Sequence, residues 1–201
     1  LTQSKYTSLS GTNVTRDFVE LPSQLMENWV SDPEALKSLA KHYQTWLPMP
    51  DKLVQTLQDL KTFMMGNWVS RQNELALLDM TLYTSSIPNS VEELDEKILE
   101  IVNQYSIFPR GEEYKMYCAF LHIFGGGYEA KYYSYMRAEL LEADVFQTIK
   151  KAWIFNPEIW SAYKEKILIP WTRKPASELF FDFMERKPSD EALMKKYGLL
   201  A

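Results

Sequence analysis

The stretch "PDKLVQTLQDLKTFMMGNWVSRQNELALLDMTLYTS", residues 50–85, decides the fold class. Its apolar residues return at intervals of three and four, the spacing that lines one face of an α-helix. Pro50 opens the pattern, and Gly66 is either tolerated inside it or kinks it. The same periodicity continues in both directions. In "SDPEALKSLAKHYQ", residues 31–44, Asp32 reads as N-cap, with Pro33 at the first helical position and Glu34 in the first turn. "SVEELDEKILEIVNQY", residues 90–105, begins with Ser90 and Glu93, a capping box that satisfies two orphan N–H groups. Further helices are expected at about 114–124, 128–153, 157–168, 176–187 and 189–197, the last stopped by Gly198. Alternating strand patterns are absent apart from "KYTSLSG" near the start, and loops fall at "SSIPNS" and "IFPRGEEY". The chain reads as all-α, a single helical unit over residues 1–201.

Composition narrows the function classes. Of 201 residues, 46% are apolar and 24% charged, enough to bury a sizeable core, with no apolar run long enough to span a membrane. The net charge of -5 disfavours a nucleic-acid partner, which wants clustered Lys and Arg. The single cysteine, Cys118, leaves no intrachain disulfide framework and fits a reducing, cytoplasmic compartment. The first residue is Leu1, and "LTQSKYTSLSGTN" lacks the basic and apolar regions of a signal peptide, so a piece of a longer chain is expected.

Two stretches carry candidate chemistry. "HIFGGGYEAKYYSY", residues 122–135, packs a histidine, three glycines and four tyrosines together. It lacks the ending and the preceding strand of a phosphate loop. On a helix, Tyr128, Tyr132 and Tyr135 fall at i, i+4 and i+7 and share a face, with Tyr133 on another. They read either as an aromatic stripe in the core or as a line of donors for a developing oxyanion beside His122. Cys118 and His122, at i, i+4, could ligate a metal or pair as thiol and imidazole, yet no third ligand is spaced to match, and inert packing is the simpler reading. His42 reads as a helix-surface residue.

The second stretch is "GTNVTRDFVELPSQLMENW", residues 11–29. Asp17, Glu20 and Glu27 lie within about one helical face among apolar residues that would partly bury them. Such carboxylates are solvated, or paired with a neighbour such as Arg16, or they serve a metal. Pro22 interrupts the helix: it biases Leu21 out of the α region and deprives the Phe18 carbonyl of its partner.

Taken together, "SGTNVTRDFVELPSQLMENW" and "HIFGGGYEAKYYSY" in this order resemble the C-terminal catalytic region of the thimet oligopeptidase family of zinc metallopeptidases. Its members include neurolysin, oligopeptidase A and the bacterial dipeptidyl carboxypeptidases. The resemblance extends over essentially the whole chain, including "NELALLDMTLYTS", "AELLEADVFQ" and "ELFFDFMERKPSDEALMKKYGL". It implies an all-α C-terminal part of a zincin-like domain that hydrolyses short peptides with one zinc ion. Glu20 matches the third zinc ligand, and Asp17 and Glu27 would support it from behind. Tyr135, His122 and Tyr132 match catalytic, oxyanion-stabilising positions. Tyr128, Gly125, Gly126, Gly127 and Arg16 would bind the peptide, the glycines letting the loop move.

The family's other two ligands and its general base belong to an HExxH helix, and this chain contains no HExxH. That segment is expected upstream of Leu1, so the missing N-terminal part of the same polypeptide becomes an obligatory partner and residues 1–201 alone should be inactive. Arg137 stands where many members have Trp, while Glu129 and Lys131 replace residues that are often small, which touches subsite preference and leaves the reaction type alone. "HIFGGGY" leans toward the oligopeptidase A and dipeptidyl carboxypeptidase branch. The rival reading is a non-catalytic helical scaffold that kept the fold and lost the metal.

Overall fold

The computed structural model describes residues 1–200, and every regular element among them is helical. In chain order the α-helices are α1 (Arg16–Val19), α2 (Leu21–Glu27), α3 (Pro33–Leu39), α4 (Asp51–Leu60), α5 (Met65–Thr84) and α6 (Val91–Tyr105). They continue with α7 (Leu121–Phe124), α8 (Ser134–Lys151), α9 (Pro157–Tyr163), α10 (Ala176–Met184) and α11 (Glu191–Lys196). A π-helical turn, Lys164–Leu168, extends α9. The stretch "KYTSLSG" forms no strand; it holds a 3-10 turn at Thr7–Leu9.

Several helix ends follow their sequence signals. Asp32 caps α3 by accepting the N–H groups of Glu34 (2.9 Å) and Ala35 (3.2 Å). Ser90 Oγ accepts the Glu93 N–H at 3.2 Å, but the returning Glu93 carboxylate takes the Asn89 N–H (2.8 Å), one residue earlier than a capping box requires. Gly198 (φ +75°) ends α11: its N–H bonds the Lys195 carbonyl (3.0 Å) and the Leu199 N–H bonds that of Met194 (2.9 Å), which is the Schellman pattern.

Other ends depart from expectation. The long pattern from Pro50 breaks into α4 and α5 around Met64, which adopts a left-handed φ of 56°, so Gly66 lies inside the first turn of α5 and kinks nothing. The helix expected over 128–153 starts only at Ser134. The one expected over 114–124 divides into a 3-10 turn (Met116–Ala119) and α7, separated by Phe120 at φ −85°, ψ 64°. Cys118 therefore shares no helical face with His122, and it is exposed. His42 is exposed but sits in a turn after α3, where its Nδ1 accepts the N–H groups of Gln44 and Thr45.

The described residues pack as two compact units, one built from Leu1–Phe63 and the residues from Arg137 onward, the other from Met64–Met136. In the first, Phe18, Leu21 and Leu25 of the α1–α2 segment join Leu141, Val145 and Ile149 of α8, Ile167, Trp171, and Leu179, Phe180 and Phe183 of α10. Three acids on α8, Glu139, Glu142 and Asp144, are buried in this unit and each has a partner. Lys196 bridges Glu139 (2.9 Å) and Glu142, Asn28 Nδ2 donates to Glu142 (2.6 Å), and the Arg186 guanidinium forks onto Asp144 at 2.5 and 2.7 Å. These bonds tie α11 and the residue just after α2 to α8, which fixes the helix that follows Glu20. In the second unit, Leu75 and Leu78 of α5 pack with Ile98, Ile101 and Val102 of α6, together with Phe120 and Ile123.

Candidate active site

Glu20 occupies the joint between α1 and α2 (φ −86°, ψ −5°). The joint exists because of Pro22, though not in the way residue preferences imply. Leu21 is helical as the first residue of α2, and Pro22 sits in that helix's first turn, where an absent N–H is harmless. The Phe18 carbonyl keeps a partner, the N–H of Glu20. With Phe18 and Leu21 both turned into the core at 1% and 0% exposure, the half-buried Glu20 carboxylate is left at the rim. Ser23 Oγ donates to its Oε2 at 2.9 Å and also to the Glu20 carbonyl at 3.0 Å, so the carboxylate is held by a residue one turn away. Arg16 and Asp17 are half-buried at the start of α1, whereas Glu27 is exposed at the end of α2 and escapes the partial burial expected of it.

A hydroxyl-held carboxylate is a suitable oxygen donor for zinc. Among the described residues no group of three or more His, Cys, Asp or Glu could hold a metal ion. Glu20 offers a single such donor, and the described residues by themselves make no metal site.

The tyrosines converge, by a route other than a shared helical face. Only Tyr135 lies on α8; Tyr128 and Tyr132 belong to the turns before it. Even so, the Tyr128 and Tyr135 rings stack with centroids 5.1 Å apart, and Tyr132 lies 5.0 Å from Tyr135. The His122 ring stands edge-on to all three, at 6.0 Å from Tyr128, 5.8 Å from Tyr132 and 6.1 Å from Tyr135. Tyr133, 49% exposed, takes no part in these ring contacts. Burial divides the cluster: Tyr128 is 7% exposed and Tyr132 packs against Phe120 (4.8 Å) at the margin of the core, whereas Tyr135 is half-buried and His122 is exposed. Core packing thus describes Tyr128 and Tyr132, while Tyr135 and His122 stay open to solvent in part or in full. Burial, then the neighbouring Tyr135, pushes the Tyr132 phenol above its ordinary value, which keeps it a neutral O–H donor at neutral pH.

The glycines differ from one another. A Cβ on Gly126 would lie 2.9 Å from both the Cα and the carbonyl oxygen of His122, and Gly127 has φ +81°. Gly125 faces open space. The loop closes on itself through the Tyr128 N–H, which bonds the His122 carbonyl at 3.1 Å.

Sequence reasoning missed what grips this loop. Asp79 of α5 is fully buried, and its two oxygens accept the N–H groups of Ala130 (2.9 Å) and Tyr132 (2.8 Å). One turn further along, Tyr83 Oη donates to the Ile123 carbonyl. The available signal was an aspartate inside the apolar run "ELALLDM".

The chain is 36% identical to oligopeptidase A of Salmonella typhimurium over 99% of its own length and 29% of that protein's. It is 37% identical to a probable cytosolic oligopeptidase A of Arabidopsis thaliana, over 94% of this chain and 28% of the relative. A dipeptidyl carboxypeptidase of Escherichia coli is 30% identical over 98% of this chain and 29% of its own length. The chain therefore spans less than a third of the relatives it matches. Residues 1–199 match peptidase family M3, and the chain belongs to that family.

Proposed function

We propose that residues 1–201 form one part of the catalytic domain of a zinc oligopeptidase, and that the whole protein hydrolyses short peptides. Glu20 supplies one ligand, held by Ser23, with Asp17 and Arg16 beside it at the start of α1; Glu27, exposed, has the least to contribute. Two histidines and a glutamate base come from an HExxH segment elsewhere in the polypeptide. A zinc ion bound there would supply Lewis acidity toward the scissile carbonyl and the attacking water. The chain's own share is positional: Tyr135 and Tyr132 donate O–H groups to the oxygen that gains charge as the carbonyl is attacked, with the His122 ring edge-on to theirs. Tyr128 and the Gly125–Gly127 turn bound the peptide's path. No helix among the described residues is long and apolar enough to cross a membrane. The cytoplasm is the proposed location.

The observation that supports this reading is the convergence of His122, Tyr128, Tyr132 and Tyr135 in a chain of this family. The test is hydrolysis of a short-peptide panel by the full-length protein. Activity should vanish with a chelator and return with zinc, and residues 1–201 alone should hydrolyse nothing. Chelator-sensitive hydrolysis by the pure 1–201 piece would place the catalytic centre elsewhere and overturn the reading.

A further inference from the structure

We infer that Asp79, assisted by Tyr83, is a positioning residue for the tyrosine cluster: α5 clamps both arms of the loop and sets the direction of the phenolic O–H groups. The inference rests on the reading of Tyr135 and Tyr132 as oxyanion donors. Residues 128–133 precede α8, so the N–H groups of Ala130 and Tyr132 have no helical ladder to join, and the buried Asp79 carboxylate takes both of them. Ala130 itself has φ +55°, a left-handed conformation that an alanine rarely adopts unless its surroundings hold it there.

The same turn produces the ring contacts. Tyr132 sits directly on the clamp, while Tyr135 lies three residues later, with its N–H bonded to the Tyr132 carbonyl at 3.3 Å. On the loop's other arm, Tyr83 holds the carbonyl of Ile123, next to His122. Asp79 and Tyr83 are four residues apart on one helix, so both arms refer to a single rigid element. Burying a carboxylate is costly unless its oxygens are satisfied. Two coplanar oxygens fix the orientation of the 130–132 backbone as well as its place, which one hydroxyl could not do. Asparagine would turn one N–H donor toward another N–H donor.

The test uses the full-length peptidase with four variants: Asp79→Asn, Tyr83→Phe, Tyr135→Phe, and Asp79→Asn combined with Tyr135→Phe. Amide exchange across residues 128–133 reports the clamp without reference to chemistry. Asp79→Asn should speed that exchange and lower kcat about 10- to 100-fold with KM little changed, because a small misplacement of a donor costs on that order. Its loss should shrink in the Tyr135→Phe background, where only Tyr132 remains to be positioned. Tyr83→Phe, at a half-exposed position where folding is not at stake, should lower kcat several-fold, roughly 3 to 10, in the same manner. Unchanged exchange in Asp79→Asn overturns the clamp whatever the tyrosines do. Faster exchange with an unchanged kcat, while Tyr135→Phe loses rate, leaves Asp79 as packing only and overturns the positioning role. Should Asp79→Asn not fold, an unaltered kcat in Tyr83→Phe has the same force. Should Tyr135→Phe itself keep the wild-type rate, the donor reading fails first, and that result is separable because the exchange data stand on their own.

Discussion

The two functional stretches are held by different means. The Glu20 carboxylate accepts a hydrogen bond from Ser23, three residues away in its own segment, while Phe18, Leu21 and Leu25 dock the short helices on either side into the core shared with α8 and α10. The tyrosine cluster is fixed from a distance: Asp79 and Tyr83 reach it across 40 to 53 residues of sequence. A ligand site of the first kind tolerates change elsewhere as long as α1 and α2 stay docked. A donor site of the second kind is only as well aimed as a contact between remote elements. Substitutions far from either stretch should therefore disturb the phenols before they disturb the carboxylate.

The largest expected effect bears on the local side. In the full-length protein, Glu20→Ala should abolish stoichiometric zinc and with it hydrolysis, because a three-ligand catalytic site has no ligand to spare. Metal analysis of the purified variant checks this, and retained zinc with retained activity would remove Glu20 from the site.

Next come the glycines, which separate mobility from fit. If the run exists only to let the loop move, alanine at any of the three should slow turnover similarly. The geometry predicts otherwise. Gly126→Ala drives a methyl group into the His122 backbone and should cost about 1–3 kcal/mol of stability together with activity. Gly125→Ala meets open space and should be close to neutral. Thermal melts and kcat on the two variants decide the matter, and equal losses would restore the mobility account.

What was legible in the sequence follows the same division. The all-helical class, the Asp32 cap and the Gly198 stop rest on local chemistry, and the structure has them as read. The residues of the tyrosine cluster were legible too, but not their geometry, since a helix over 128–153 was the wrong scaffold. In the true one, residues 128–133 form turns before α8, and two of their N–H groups go to the distant Asp79. Periodicity carries no record of such a bond. The break at Met64 was hidden for a related reason: apolar spacing runs on through "KTFMMGN" although the helix is interrupted there by a left-handed residue. The buried acids of "AELLEADVF" announce themselves as misplaced charges, yet their partners, Lys196, Arg186 and Asn28, lie 42 to 114 residues away.

Smaller effects sharpen the comparison on its local side. Ser23→Ala should weaken zinc binding by about 10-fold while leaving the fold intact, the usual loss when a group orienting a ligand is removed. A competition assay with a chromogenic chelator reads it. Asp32→Asn is the smallest. Burial raises the Asp32 carboxyl, but Lys150 and the Ala35 and Glu34 N–H groups outweigh that and hold it below its ordinary 3.8. A depressed folded value contributes stability above the unfolded value, lost as pH falls through the folded one. Asparagine keeps the cap and loses the Lys150 pair, so the variant should melt slightly lower at pH 7, by about 0.5 kcal/mol, with the gap closing below about pH 4. Melting curves across that range check the sign.

The measurement that bears most directly on the account is the turnover of Tyr135→Phe in the full-length enzyme, set beside its melting temperature and beside Tyr133→Phe. Removing one hydroxyl that meets the oxyanion only as charge develops should lower kcat by about 10²–10³ with little change in KM. Tyr133→Phe, outside the ring cluster, should turn over like wild type. If Tyr135→Phe keeps its rate and merely melts lower, the phenols are packing and the donor role assigned to this cluster is wrong.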